Sequence, residues 1–260
     1  RTAVSENADV IFAGAGLPLD LPGYLTEGSR TQLVPIVSSS RAARLICEKW
    51  SANYGYLPDA IVVEGPKAGG HLGFKKEQIE DEHYSLEHLI PEVVEVARSY
   101  AGRKNIPVIA AGGIATGEDI ARFMALGASA VQMGSIFVPT EECDASVEFK
   151  KVYLNAHRED IRIIQSPVGM PGRAFDGEFI RNVAEGKEKP RSCPFHCIKT
   201  CDYTKSPYCI IKALYNAAKG NMKKGYAFAG GNAYLSDKIR SVREVVEKLK
   251  TDFFLSKAAF

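Results

Sequence analysis

Five short apolar runs punctuate the first half of the chain. They are "VIFA" (Val10 to Ala13), "LVPIVSSS" (Leu33 to Ser40), "DAIVVEG" (Asp59 to Gly65), "IPVIAAGGI" (Ile106 to Ile114) and "AVQMGSIFV" (Ala130 to Val138). They are continuous rather than alternating, the pattern of strands covered on both faces of a parallel sheet. Between them the spacing becomes helical. Ala43, Leu45, Ile46, Lys49 and Trp50 share one side of "RAARLICEKWSANY", and Leu89, Val93, Val96 and Ala97 share one face of "LEHLIPEVVEVARSYA". In "TGEDIARFMALGA", Thr116 can cap a helix start, Asp119 sits three residues on, and Gly127 stops the helix. This rhythm predicts parallel β/α units. The runs end in small residues, "AGAG", "SSS", "EGPKAGG", "AAGG" and "MGS", all at the carboxyl end. In a β/α barrel that end forms the active face.

After Phe137 the pattern changes. "EECDASVEFKKVYLNAHREDI" reads as a polar amphipathic helix and "SPVGMPGRAF" as a loop. "SCPFHCIKTCDYTKSPYCIIKALYNAAKG" reads as helical and cysteine-rich, and "SDKIRSVREVVEKLKTDFF" as a closing helix capped by Ser236 or Asp237. The predicted organisation is a barrel part over 1–140, a smaller, mainly helical lid or substrate domain over 141–235, and a closing helix over 236–260 that packs back on the barrel.

Composition changes this picture little. Hydrophobic residues make up 45% of the 260 positions and charged residues 25%, with 33 basic against 31 acidic side chains. A net charge of +2 points to neither nucleic acid nor an acidic membrane surface. No apolar run approaches the roughly 18 residues that span a bilayer, and no secretory signal is visible at the start. The expected location is the cytoplasm, where six cysteines are thiols or ligands rather than disulfides.

Chemistry gathers at the strand ends. Ala68, Gly69 and Gly70 lead directly into His71, Gly112 and Gly113 follow the fourth strand, and Gly134 and Ser135 follow the fifth. Glycine lets the backbone approach a phosphate oxygen with no Cβ in the way, and amides at strand ends make an anion site. Plain turn geometry is the alternative. His71 is open to two readings as well: a surface histidine after a turn, or a proton-transfer group at the mouth of the active face.

"EGPKAGGHLG", "IPVIAAGGIATGEDIARFMALGASAVQMGSIFV" and "SPVGMPGRA" together resemble the nitronate monooxygenase family, formerly called 2-nitropropane dioxygenases. The flavin-dependent type II enoyl-acyl-carrier-protein reductases are its close relatives. The resemblance implies an α/β fold of the TIM type, an FMN-binding (β/α)8 barrel whose first three strands have no counterpart in this sequence. With no Met at its start, the chain reads as a fragment of such an enzyme. The resemblance also implies that Ala68, Gly69, Gly70, Gly112, Gly113, Gly134 and Ser135 surround the FMN phosphate and ribityl chain. His71 is implied as catalytic base, and no metal is needed. The implied activity is oxidative denitrification of alkyl nitronates with O2. An NAD(P)H-dependent FMN reductase acting on an enoyl thioester or a quinone is the alternative, and a non-catalytic fragment that binds a partner is a third reading. A homodimer is the candidate assembly. Two positions depart from the family pattern: Lys67 stands where an acid is frequent, and Ser38, Ser39 and Ser40 follow a strand after which some members carry a lysine.

Three further groups stand out. Cys193, Cys197 and Cys201 are spaced four apart, with Cys209, His196 and Asp202 nearby. On a helix they would share a face and pack as small apolar residues; the alternative is a metal or iron–sulfur site, or a redox thiol set. Cys47 and Cys143 read as ordinary packing residues. Asp81, His83 and His88 resemble a metal set but read as a solvated loop. "GYAFAGGNAY" (Gly225 to Tyr234) fits either a lining of the substrate entrance or a turn with packed aromatics.

Overall fold

The computed structural model describes residues 1–197 and 201–257. In chain order the strands are β1 (Val10–Ala13), β2 (Gln32–Val37), β3 (Ile61–Glu64), β4 (Gly70–His71), β5 (Val108–Ala111), β6 (Ala130–Gln132), β7 (Ile161–Gln165) and β8 (Pro171–Phe175). The helices are α1 (Thr2–Ser5), α2 (Ser40–Tyr54), α3 (Leu86–Arg98), α4 (Gly117–Ala125), α5 (Val147–Leu154), α6 (Glu178–Ala184), α7 (Ile210–Ala218) and α8 (Val242–Lys257). They form two compact units. The first comprises Arg1–Pro66, Gly73–Gln132 and Asp252–Phe260; the second comprises Lys67–Leu72 and Met133–Thr251. The division assigns the glycine–histidine segment to the second unit and falls within α8.

The first unit is a five-stranded parallel sheet in the order β1-β2-β3-β5-β6. Consecutive β/α units laid side by side in chain order are the TIM-type arrangement, an α/β fold. Each helix boundary has a local cause. The Ser39 hydroxyl accepts from the Ala42 amide at 3.2 Å to start α2, and Gly55 ends it at φ +62°. At α4, Thr116 accepts from the Asp119 amide while Asp119 accepts from the Ala115 and Thr116 amides, a reciprocal cap.

The core of this unit lies between sheet and helices. Ala43, Ile46, Cys47 and Trp50 of α2 and Leu89, Ile90, Val93, Val96 and Ala97 of α3 are buried. A second cluster gathers Val34, Ala60, Val62 and Ala111 with Ile36 and Ile109. Two strands differ from their reading as covered on both faces. β1 and β6 lie at the two edges of the sheet; Phe12 of β1 is 53% exposed, and Ala130 and Gln132 of β6 are exposed.

The second unit adds α5, α6 and α7 to a three-stranded antiparallel sheet in the order β4-β8-β7. This sheet corrects the sequence reading. β7 starts on the last residue of the stretch read as helix and runs on to Gln165, inside a domain expected to be mainly helical; Ile161, Ile163 and Ile164 favour extended backbone. β8 occupies half of the stretch read as a loop, with Pro171 at its first residue, where a strand tolerates proline. Residues 227–229 continue the pairing: the Phe175 amide donates to the Ala227 carbonyl and the Ala229 amide to the Arg173 carbonyl, both at 3.1 Å. Tyr226, Phe179 and Tyr208 pack into one cluster behind it. The start of α8 also moves. The Ser241 hydroxyl accepts from the Glu244 amide, so Ser241 is the cap, while Asp237 pairs with Arg240.

Candidate active site

His71 sits in the two-residue strand β4, paired opposite Gly172 of β8. The Leu72 amide donates to the Pro171 carbonyl at 2.9 Å and fixes the register. Space at 172 is tight: a Cβ would stand 3.0 Å from the Phe228 ring and 3.3 Å from the Gly70 carbonyl oxygen, so those neighbours would have to give. The imidazole Nε2 lies 2.7 Å from the Ser166 Oγ. Ser166 is 2% exposed, and the Gly169 amide donates to its carbonyl in a tight turn. The Phe228 ring stands edge-on to the imidazole at 5.1 Å. Burial lowers the His71 pKa below its ordinary value, so the ring is neutral near pH 7.

The sequence reading missed Ser166 and its link to His71. Its only signal was its place at the head of "SPVGMPGRA". The packed-aromatic reading of "GYAFAGGNAY" holds for Tyr226. Tyr226 is packed at 1% exposure, and Phe228 stands against the candidate base.

The glycines of the second unit fall into two kinds. A Cβ at Gly69 would stand 2.7 Å from the Ala229 carbonyl carbon and the Gly230 nitrogen, so this glycine is spent on backbone packing. The Gly231 amide donates to the Lys67 carbonyl at 2.9 Å and holds the same two segments together. Gly70 has φ +83°, and a Cβ there or at Gly134 would meet no heavy atom within 4 Å. The Ser135 hydroxyl accepts from the Gly230 amide at 2.9 Å, which leaves its own proton to donate. Ala68 is buried. Gly69 and Ser135 thus both meet residue 230. The stretch expected to continue β6 as strand instead turns: β6 ends at Gln132, and Ser135–Phe137 form a 3-10 turn.

The carboxyl end of the first unit carries the other pair. Gly112 and Gly113 follow β5 with φ +98° and +81°, backbone that suits glycine alone. Glu64 is paired with Ala111 in the neighbouring strand. Burial pushes its carboxyl up to about 7. Because α4 is capped by its own Asp119, an anion at this end would be met by loop amides rather than by a helix terminus. Gly73 belongs to the same unit, and a Cβ there would lie 2.5 Å from the Ser38 hydroxyl.

The remaining candidates take other forms. Asp81 and His83 form an exposed pair at 3.0 Å, His83 stacks on His88, and the Ser85 hydroxyl lies 2.8 Å from the His88 Nδ1. Among the described residues no three His, Cys, Asp or Glu side chains are gathered at metal-ligand geometry, and no helix is long and apolar enough to cross a membrane. Of the cysteine-rich stretch read as helical, Ile210–Ala218 forms α7, residues 198–200 lie outside the described residues, and the cysteines precede the helix. Cys193 and Cys197 lie in irregular backbone, Cys201 precedes a turn, and Cys209 caps α7. Pro190, Pro194 and Pro207 remove amide donors there, and His196 adopts φ +45°.

FMN fits the residues present. Open backbone at Gly70 and Gly134 and a free donor proton at Ser135 suit a phosphate. Comparison with known proteins points the same way. A probable nitronate monooxygenase of Staphylococcus aureus (strain Newman) is 34% identical over 128 residues, 49% of this chain and 34% of that protein. One from Staphylococcus saprophyticus is 32% identical over 140 residues, 53% of this chain and 38% of that protein. The matched stretch is thus little more than a third of each curated relative's length. Among solved structures, FabK from Thermotoga maritima is 28% identical with a TM-score of 0.74, covering 99% of this chain and 71% of that one. A nitroalkane oxidase from Streptomyces ansochromogenes, 23% identical with a TM-score of 0.73 and covering 99% of this chain and 67% of that one, shares the fold. A model of the family described as nitronate monooxygenase matches residues 2–252, and the chain belongs to that family.

Proposed function

We propose that this chain is part of an FMN-dependent oxidoreductase that oxidises alkyl nitronates with O2, with His71 as its base. The observation that carries this reading is the desolvated, neutral imidazole held 2.7 Å from a buried serine hydroxyl, beside glycines whose open sides can receive a phosphate. When Nε2–H donates to the Ser166 Oγ, the Nδ1 lone pair is left to take a proton. The α-proton of a nitroalkane is such a proton, and its removal yields the nitronate. Ser166 then acts by fixing the tautomer, and Phe228 by excluding water from one side of the ring. Ala68, Gly69, Gly70, Gly112, Gly113, Gly134 and Ser135 are the residues proposed to hold the FMN phosphate and ribityl chain. When bound, the flavin supplies the electron-accepting chemistry.

A second reading draws on the likeness to FabK: an NAD(P)H-dependent FMN reductase acting on an enoyl thioester or a quinone. One experiment separates them. The purified chain is loaded with FMN and titrated anaerobically with propyl-2-nitronate, then with NADH, while the visible flavin bands are followed. Bleaching by the nitronate, with nitronate-dependent O2 uptake on admission of air, is the expected result. Bleaching by NADH alone selects the reductase, and a chain that takes up no FMN overturns the cofactor assignment.

A further inference from the structure

Four of the six cysteines lie together although they span a long loop. Cys193, Cys197, Cys201 and Cys209 all line one cavity of about 190 Å³, floored by Val168, Tyr208 and Ile210. None of them is fully buried: Cys193 and Cys209 are half-buried, and Cys197 and Cys201 are exposed. Packing cysteines look different, as Cys47 shows, fully buried inside α2. The expected packing role therefore does not explain this group. All four thiols are free rather than paired in disulfides.

Polar contacts within residues 202–208 fix the arm that leads from Cys201 to Cys209. The Asp202 carboxylate accepts from the Thr204 amide at 3.1 Å, and its carbonyl accepts from the Lys205 and Ser206 amides. The Ser206 hydroxyl donates to the Tyr208 carbonyl at 2.7 Å. This turn returns the chain from Cys201 to Cys209. Pro194 and the left-handed His196 bend the other arm between Cys193 and Cys197. A non-glycine residue in that conformation is uncommon and persists where the surroundings require it.

We propose that Cys193, Cys197, Cys201 and Cys209 form a four-thiolate metal centre that clips this loop to the start of α7. The spacing is C-x3-C-x3-C-x7-C. Its first two intervals fall within the range of structural zinc sites, and four soft sulfur ligands select Zn2+ or iron held as an iron–sulfur centre. Each thiol gives up its proton on ligation, and no electron is transferred to bind zinc. Four thiolates on Zn2+ leave a net negative charge. The surrounding stretch supplies Lys189, Arg191, Lys205 and Lys212, with Asp202 its only acid. The ligands do not yet stand at metal distances, and metal binding draws the two arms of the loop together.

The test uses the full chain, purified without chelator and analysed for metals and acid-labile sulfide. The expected result is one tightly held metal centre per chain. Zinc without sulfide identifies a mononuclear clip, and iron with sulfide identifies a cluster on the same thiolates. Loading with Co2+ should give the intense sulfur-to-cobalt absorption of a tetrathiolate site. Cys197→Ser and Cys201→Ser replace exposed residues, so the fold should survive; each should lose the metal, whereas Cys143→Ser should keep it. Alkylation followed by mass spectrometry reads the same site without variants: the four thiols should be protected until a chelator is added. A metal-free chain that gains none in excess Zn2+ and is alkylated at all four at the rate of free cysteine overturns the proposal. So does a Cys197→Ser protein with its full metal complement.

Discussion

The two units are built by different means. In the parallel-sheet unit, strands and helices follow from local pattern, and the core is a continuous apolar layer with Trp50 completely buried in it. In the second unit the decisive contacts join positions far apart in sequence, with backbone pressed against backbone. His71 meets Ser166 and Gly230 meets Ser135, each across 95 residues. The Tyr153 hydroxyl reaches the Phe228 carbonyl across 75. A unit made by apolar burial is sensitive to lost volume. A unit made by close backbone approach is sensitive to an added methyl group. The candidate base belongs to the second kind and is held by a two-residue strand whose neighbours must be small.

The largest effect expected is on catalysis. His71→Ala should keep the flavin spectrum of the loaded protein and lower turnover of the neutral nitroalkane, whose α-proton it takes, about 10²–10⁴-fold, the usual worth of a positioned general base. An unchanged rate would remove His71 from the chemistry and leave it a packing residue of the β4-β8 sheet. The first unit has its own test in Trp50→Ala. The indole is fully buried, and its Nε1 donates to the Pro18 carbonyl at 2.9 Å. Its loss should cost about 3–5 kcal/mol in urea unfolding. A cost well under that would mean that the apolar layer is not what holds this unit together.

The same contrast decides what could be read in the sequence. The five parallel strands and the helices α2, α3 and α4 were legible because their signals are local: an apolar run, a capping serine or threonine, a stopping glycine. The β7–β8 hairpin was not. Pro167, Gly169, Pro171 and Gly172 read as loop, whereas Pro171–Phe175 is a strand because it pairs with Ile161–Gln165 on one side and with the distant Gly70–His71 on the other. Of the candidate site, the glycines and His71 were legible as small residues ending an apolar run. Ser166 was not, because a serine before a proline looks like any turn residue. The cysteine spacing suggested a helix face. The three prolines among and beside those cysteines argued against one and should have carried more weight.

Gly69→Ala is the next test in size. Its Cβ would meet the Ala229–Gly230 peptide at 2.7 Å, and a peptide cannot swing aside as a side chain can. The expected loss is about 1–3 kcal/mol in the unfolding free energy, the range for overpacking. A neutral result would show that residues 229–230 are free to shift, and the close-approach account of the second unit would fail.

Two buried ionisable groups sharpen the comparison further, because each unit holds one. Burial pushes Glu64 up to about 7 from its ordinary value of 4.5 and lowers His71 from its ordinary 6.5. Between pH 4.5 and 7 the folded chain keeps the Glu64 proton that the unfolded chain has given up. Stability from this group is therefore full at the acid end and falls as pH rises, by at most about 1.4 kcal/mol per pH unit. His71 acts in the opposite sense. Its contribution is present above 6.5 and is lost as pH falls toward its lower folded value. Glu64→Gln should flatten the acid-side loss in urea unfolding measured across that window. An unchanged slope would mean that the carboxyl is solvated.

The smallest stability effect is expected where the chemical reading asks most. Gly134→Ala adds a methyl group that meets nothing within 4 Å, at a backbone φ of −129° that any residue adopts. Its unfolding free energy should stay within about 0.5 kcal/mol of the parent. Yet this open side is where the phosphate is proposed to lie, so FMN titration should show clearly weaker binding. Gly69→Ala and Gly134→Ala thus form a matched pair, one methyl group each, with opposite expectations for stability. If Gly134→Ala binds FMN as tightly as the parent does, the phosphate does not rest against this backbone. The open space beside Gly134 would then be surface, and the glycines would be left with turn geometry as their whole explanation.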